Sequence, residues 1–83
     1  MPNSKPSPTV GMLVTWEDLN KVPRQLHMMH KMCKKIYGDR AFTVYVTNNE
    51  GTLVGLERDG EILSQGRALH MLFDWDLLRP IEI

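Results

Sequence analysis

The sequence predicts an α+β fold: an antiparallel meander sheet or small barrel, with one amphipathic helix inserted after the first strand. Apolar and polar residues alternate from Phe42 to Thr47, which is the period of a half-buried strand. Asp59-Gly60 lies between two further strand-like segments and is typical of a type I′ hairpin turn. Apolar side chains also recur at helical spacing between Pro23 and Tyr37.

The first part of the chain predicts a tail, a strand and a short helical turn. Residues 1–9 contain three prolines and two serines, so we expect a flexible tail before one globular β-rich domain over residues 10–83. Val10–Trp16 is apolar and β-branched, which favours a strand, although its length alone also suits a helix. Thr15 to Asp18 has the pattern of a helix N-cap, and Pro23 limits any helix there to a few residues.

The main helix is predicted to run from Pro23, at its first helical position, to Tyr37, with Gly38 as its C-terminal cap. At about 100° per residue, one face is apolar and should cover the sheet; it comprises Leu26, Met29, Cys33, Ile36 and Tyr37. The opposite face carries positive charge, with Met28 exposed among its cations; it comprises Arg24, His27, Lys31, Lys34 and Lys35.

The meander is expected to contain three strands, Phe42–Thr47, Thr52–Glu57 and Glu61–Ser64. Arg67–Phe73 suits either a short helix or a strand. Asp74-Trp75-Asp76 suits a tight turn or a single 3₁₀ turn. Leu77–Ile83 is expected to be a closing strand, in which Pro80 marks an edge or bulge position.

Composition narrows the classes of function. The formal net charge is zero, from ten basic and ten acidic residues, which argues against attraction of the whole molecule to nucleic acid or to a membrane. Charge is uneven, however, because Lys21–Arg40 holds six basic residues and one acid, a formal charge of +5. The single cysteine excludes an intrachain disulfide. No apolar run approaches the roughly 20 residues of a membrane span, and none suits a signal peptide, so we expect a soluble cytoplasmic protein.

The order of elements resembles a small SH3-like β-barrel of the Tudor or KOW type. The segments that resemble it are GMLVTW at 11–16, VGLERDGEIL at 54–63 and FDWDLLRPI at 73–81. The resemblance implies a domain that binds peptides, modified side chains or nucleic acid, although fold does not dictate function. A methyl-lysine cage would need converging aromatic rings, for which Trp16, Tyr45, Phe73 and Trp75 are available. The alternative is that Trp16 and Phe73 belong to the core.

Catalytic and metal-binding patterns are weak. His27, His30 and Cys33 are spaced so that they could approach one ion on a helix, but the paired spacing typical of structural zinc is missing. No nucleophile elbow or glycine-rich phosphate loop occurs. Asp74 and Asp76 are more typical of a turn than of a catalytic pair. We therefore expect no enzymatic activity, no catalytic residues, no metal and no cofactor.

The basic helix face is the strongest candidate for function. Met28 within a cationic rim suits docking to an acidic protein partner. The expected contact residues are Arg24, His27, Met28, Lys31, Lys34 and Lys35. A nucleic-acid-binding role for the same Lys/Arg face is the alternative. Small size and this pattern are compatible with a regulatory accessory protein of phage or bacterial type, acting in the host cytoplasm if phage-encoded.

Overall fold

The computed structural model describes residues 5–63 and 72–81, and within them it contains one α-helix and a six-stranded antiparallel sheet. The helix α1 is His27–Tyr37. The strands are β1 Leu13–Trp16, β2 Phe42–Thr47, β3 Leu53–Arg58, β4 Glu61–Ile62, β5 Leu72–Asp74 and β6 Leu78–Pro80. The predicted α+β class is therefore confirmed.

The sheet has the order β4-β3-β2-β1-β6, and β5 also pairs with β3. The short strands β4 and β5 follow each other along the edge of β3 that does not face β2. Strand β6 pairs with β1 at the far edge, where Pro80 lies opposite Val14, so the edge position predicted for this proline is confirmed. Across the described residues the sheet is not closed into a barrel, and the SH3-like layout stays a prediction.

Alternate residues of the three central strands form the core, as the period-2 pattern predicts. They are Val14 and Trp16, Phe42 and Val44, and Val54 and Leu56. The 3₁₀ turn Trp75–Leu77 joins β5 to β6 and contributes two more buried side chains, so the predicted 3₁₀ turn is confirmed. In a small domain such a turn helps to close the core, since only about 60% of the unfolded surface is buried on folding.

Trp16 connects the helix to the sheet. Its ring lies 5.2 Å from that of Phe42 and 6.0 Å from that of Phe73, both edge-on, and 6.4 Å from that of Tyr37. Its indole Nε1–H donates to the carbonyl of Gly38 at 2.8 Å, directly beyond the end of α1. Each buried aromatic pair stabilises the fold by about 0.5–1.5 kcal/mol beyond the effect of its buried area. This cluster and the bond to Gly38 therefore hold the C-terminal end of α1 against the sheet.

The helix buries only part of the predicted face: Cys33 is buried and Leu26 and Tyr37 pack against the core, as predicted, but Met29 and Ile36 do not. His30 is 3% exposed, whereas Met29 and Ile36, expected in the core, are 42% and 53% exposed. His30 Nε2 donates to the carbonyl of Glu17 at 2.6 Å, because a carbonyl oxygen can only accept, and its ring lies edge-on to Trp16. On the helical geometry, this replacement turns the buried face by roughly 40°.

The start of the helix also differs from the prediction. Pro23 is extended and precedes a 3₁₀ turn, Arg24–Leu26, so α1 begins only at His27. Thr15, expected as an N-cap, lies in β1, where its hydroxyl donates to the carbonyl of Arg40. A 3₁₀ turn, Leu19–Lys21, follows instead. The cap at Gly38 is confirmed, because its N–H donates to the carbonyl of Lys34 at 2.9 Å.

The hairpin predicted at Asp59-Gly60 is confirmed. Both residues have positive φ, 55° and 82°, which is the geometry of a type I′ turn. Strand β3 begins and ends one residue later than the predicted Thr52–Glu57. Strand β4 ends at Ile62 and is shorter than the predicted Glu61–Ser64, of which Ser64 lies outside the described residues. For Arg67–Phe73 the sequence suited either a short helix or a strand. Leu72 and Phe73 belong to the strand β5, and residues 67–71 lie outside the described residues.

Two further expectations concern the ends of the chain. The first strand is shorter than Val10–Trp16, because Val10 and Gly11 form a turn in which the N–H of Met12 donates to the carbonyl of Thr9. The closing strand expected over Leu77–Ile83 is observed as β6, Leu78–Pro80, with Leu77 in the 3₁₀ turn; residues 82 and 83 lie outside the described residues. Pro8, within the segment expected to be a flexible tail, is buried.

A bulge in β2 redirects the strand at Tyr45. Val44 lies opposite Leu56, but Val46 lies opposite Gly55, so two residues of β2 correspond to one of β3. A Cβ added at Gly55 would lie 2.7 Å from the Tyr45 ring and 2.7 Å from a Val46 methyl carbon. The missing side chain at Gly55 therefore makes room for the bulge.

Within the described residues, no helix combines the length and the apolar character that a membrane span requires.

We expect Gly55→Ala to lower the free energy of unfolding by about 1–3 kcal/mol, because the new methyl group overlaps the Tyr45 ring and forces the bulge apart. Urea denaturation followed by circular dichroism measures this change. Glu57→Ala, two residues further along the same strand face, is the control and should change stability by less than about 0.5 kcal/mol. Equal stabilities of the two variants would contradict the close approach.

We expect His30→Ala to cost about 2–4 kcal/mol, since it removes a buried ring and the hydrogen bond to Glu17. Lys31→Ala, one residue further on and exposed, should be nearly neutral in the same denaturation experiment. If His30→Ala is as stable as Lys31→Ala, His30 does not anchor the helix.

Candidate functional site

The exposed surface of α1 is divided into two flanks of different chemistry. We define the methionine flank as Met28, Met29, Met32 and Ile36, which are 75%, 42%, 51% and 53% exposed. The lysine flank is Lys31, Lys34 and Lys35, which are all exposed. Because residues three and four apart are neighbours on a helix, each flank is continuous, and the two run side by side.

A groove of about 220 Å³ lies beside the methionine flank, between the start of the helix and the part of the sheet formed by β3, β5 and the 3₁₀ turn after β5. Its walls are mostly apolar, with one carboxylate; they are Leu26, Met29, Leu53, Leu72, Phe73, Asp74 and Leu77. Leu72 is 44% exposed at this position. The groove therefore extends the apolar surface of the helix onto the sheet.

The lysine flank borders a second, more open concavity of about 300 Å³. Leu19 and His30 form its floor together with the three lysines. Among the described acids, Asp39 lies closest to the flank, with its carboxylate 3.9 Å from Lys34 Nζ, and both side chains are largely solvated. An exposed pair of this kind contributes little, so the flank retains most of its positive charge.

Hydrogen bonds to backbone carbonyls hold both ends of α1. At its C-terminal end, Arg58 Nη1 donates to the carbonyl of Tyr37 at 2.6 Å, beside the bond that Trp16 makes to Gly38. At its start, His27 Nε2 donates to the carbonyl of Val22 at 2.8 Å. The bonds at the C-terminal end satisfy carbonyls that a helix terminus leaves open, the His27 bond joins the start of α1 to the segment before it, and together they fix the direction of the two flanks.

The structure separates the six predicted contact residues into two groups. Met28 and the three lysines are exposed on α1, so the prediction that Met28 is exposed is confirmed. His27 is partly buried, and its Nε2 is used in the bond to Val22. Arg24 is exposed but belongs to the 3₁₀ turn that precedes α1. Their role in binding stays a prediction.

The predicted contact residues include Met28 but not the other members of the methionine flank, Met29, Met32 and Ile36, nor the adjacent Leu72. Helical periodicity placed Met29 and Ile36 in the core because it counted apolar residues alone. His30, which borders that apolar face three residues before Cys33 and four after Leu26, was the available signal, since a buried histidine ring can replace an apolar side chain when its N–H finds an acceptor.

The four aromatic residues considered for a methyl-lysine cage do not form one. Trp16 and Phe73 pack against each other in the core. Tyr45 lies over Gly55, where burial, together with the carboxylate of Glu57, raises the pKa of its phenol. Trp75 is 7% exposed and faces Lys5 instead.

The remaining candidates from the sequence are the possible metal ligands, the Cys33 thiol and the carboxylates of Asp74 and Asp76. Among the described residues, no three His, Cys, Asp or Glu side chains are grouped to hold a metal ion. Burial raises the pKa of the Cys33 thiol, which disfavours the reactive thiolate. Asp74 Oδ1 accepts from the N–H of Asp76 at 2.9 Å, which is the expected turn-forming role.

No protein-family model, no curated protein and no solved structure matches this chain.

Proposed function

We propose that this protein is a small, non-enzymatic docking module that binds an acidic amphipathic segment of a partner protein along α1. The observation that supports the proposal is the juxtaposition of an exposed methionine flank and a lysine flank on one helix. Apolar side chains of the partner would contact the methionine flank and its groove, and carboxylates would lie over the lysine flank.

The chemistry of the two flanks favours such a partner. Four large apolar side chains and Leu72 form a continuous exposed patch, and such patches mark interaction sites on soluble domains. Methionine is flexible and polarizable, so it adapts to side chains of different shape. Lysines at the border add charge complementarity, which mainly increases the association rate and excludes basic partners.

The fixed orientation of α1 also supports the proposal. Its ends are tied to the rest of the domain through Trp16, His27, His30 and Arg58, so little ordering of this surface is required on binding. Preorganisation of this kind increases affinity for a given area.

We further propose that the domain is an opened SH3-like layout. The chain passes from β5 through a single 3₁₀ turn into β6, which pairs with β1, and this arrangement supports the proposal. A regulatory accessory role in the cytoplasm, of phage or bacterial type, is consistent with a domain whose exposed features suit binding rather than catalysis.

Nucleic-acid binding is the second candidate, because the three lysines border one open concavity. A phosphate backbone would use the lysine flank and leave the methionine flank uncovered. The two candidates therefore differ in whether the methionines matter, and in how steeply affinity depends on salt.

We expect Met28→Gln/Met32→Gln and Lys31→Gln/Lys35→Gln each to weaken binding to the partner at least about tenfold, because each pair removes a central part of the interface. All four positions are exposed, so the thermal midpoint should stay near that of the wild type. The partner is first identified by affinity purification from the source cell, then purified and titrated against each variant.

The matched controls are Val10→Gln, which removes another exposed apolar side chain, and Arg40→Gln/Arg79→Gln, which removes two exposed cations elsewhere. Neither should change the affinity more than about twofold at physiological salt. Loss of binding in the lysine pair alone, with retention on heparin at low salt, would favour nucleic acid. Full binding by both pairs would exclude α1 as the site.

A further inference from the structure

The N-terminal arm, which we define as the described residues 5–9, lies against the 3₁₀ turn Trp75–Leu77. Lys5 Nζ donates to the carbonyl of Trp75 at 2.7 Å and to the carbonyl of Leu78 at 2.7 Å. The same ammonium group lies 4.7 Å from the centroid of the Trp75 ring. These three contacts form a slot for a cation, which we call the ammonium slot.

Two neighbouring contacts fix the register of the arm. Trp75 Nε1–H donates to the carbonyl of Pro6 at 3.1 Å, immediately after the lysine. Pro8 is buried, and its Cδ would lie 3.5 Å from a Cβ added at Gly51. A proline-rich segment is already extended, so binding it in this way costs little conformational entropy.

The contacts of the ammonium slot suit the primary ammonium group of an unmodified lysine. Both carbonyl oxygens need an N–H donor, and a trimethylated lysine has none. A neutral amide such as glutamine has N–H donors but lacks the positive charge that the Trp75 ring attracts. The carboxylates of Asp76, Glu17 and Asp74 lie near enough to attract the ammonium group electrostatically. Burial lowers the pKa of Lys5, and these three carboxylates act in the opposite direction. The ring, the two carbonyls and the acids thus all favour a protonated primary amine.

We propose that the ammonium slot is a binding site for the lysine side chain of a Lys-Pro peptide segment, which the chain's own arm occupies in this structure as an internal competitor. Binding of a lysine in trans requires the arm to leave. A tethered arm has an effective concentration on the order of millimolar, so the occupied slot binds an external peptide weakly. The slot is separate from the helix flanks, and the proposal does not depend on the function proposed for α1.

The test titrates a fluorescently labelled, end-capped peptide of residues 2–9 into the full-length chain and measures its anisotropy. We expect Lys5→Gln protein to bind this peptide at least about tenfold more tightly than wild-type protein, because its own arm lacks the ammonium group and competes only through the weaker contacts of Pro6 and Pro8. Peptides with glutamine or trimethyl-lysine at position 5 should bind the Lys5→Gln protein at least about tenfold more weakly than the lysine peptide. Arg79→Gln, which also removes one cation but leaves the arm intact, is the control and should behave as the wild type.

A second measurement uses the unsubstituted chain and does not depend on the stability of the variant. Millimolar lysine peptide should displace the arm and shift the indole N–H resonance of Trp75, whereas the glutamine peptide should not. Equal peptide affinity of Lys5→Gln and wild-type protein would overturn the proposal. So would equal binding of the lysine and trimethyl-lysine peptides.

Discussion

The hydrogen bond from Trp16 Nε1 to the carbonyl of Gly38 is the constraint on which the arrangement of this domain depends. Trp16 lies in β1, and its ring contacts aromatic rings from β2 and β5 and from the end of α1. Through this one side chain, the end of α1 is joined to three strands of the sheet. A bond between a buried indole and a helix-terminal carbonyl satisfies two polar groups at once, and few other side chains could do so while also filling the core.

His30 completes this constraint and determines which face of α1 meets solvent. Its bond to the carbonyl of Glu17 holds the helix against the residues that follow β1. With His30 inside, Met29 and Ile36 are turned outward. The cost of burying an imidazole is offset because its N–H has an acceptor, and the gain is an exposed apolar flank beside the lysines. Burial of a polar side chain thus creates the surface proposed to bind a partner.

The parts of the fold that local chemistry determines were predictable from the sequence. The Asp59-Gly60 hairpin, the cap at Gly38 and the strand Phe42–Thr47 follow from positive-φ preferences and from period-2 burial. The position of Met28 followed from helical geometry. The rotation of α1 and the docking of the arm did not, because each depends on a bond to a backbone carbonyl far away in the sequence. Lys5 and Trp75 are 70 residues apart, and no periodicity connects them.

The 3₁₀ turn after β5 links the two surfaces. Leu77 of the turn and Asp74 just before it line the apolar groove beside α1, while Trp75 and the carbonyl of Leu78 form the ammonium slot. Asp74 also accepts from Asp76 within the turn, so the backbone between groove and slot is one hydrogen-bonded unit. Residues that share such a unit commonly couple by about 0.5–3 kcal/mol, in either direction. A ligand in the groove and a lysine in the slot therefore act on the same short turn, and the occupancy of one site is expected to change the affinity of the other.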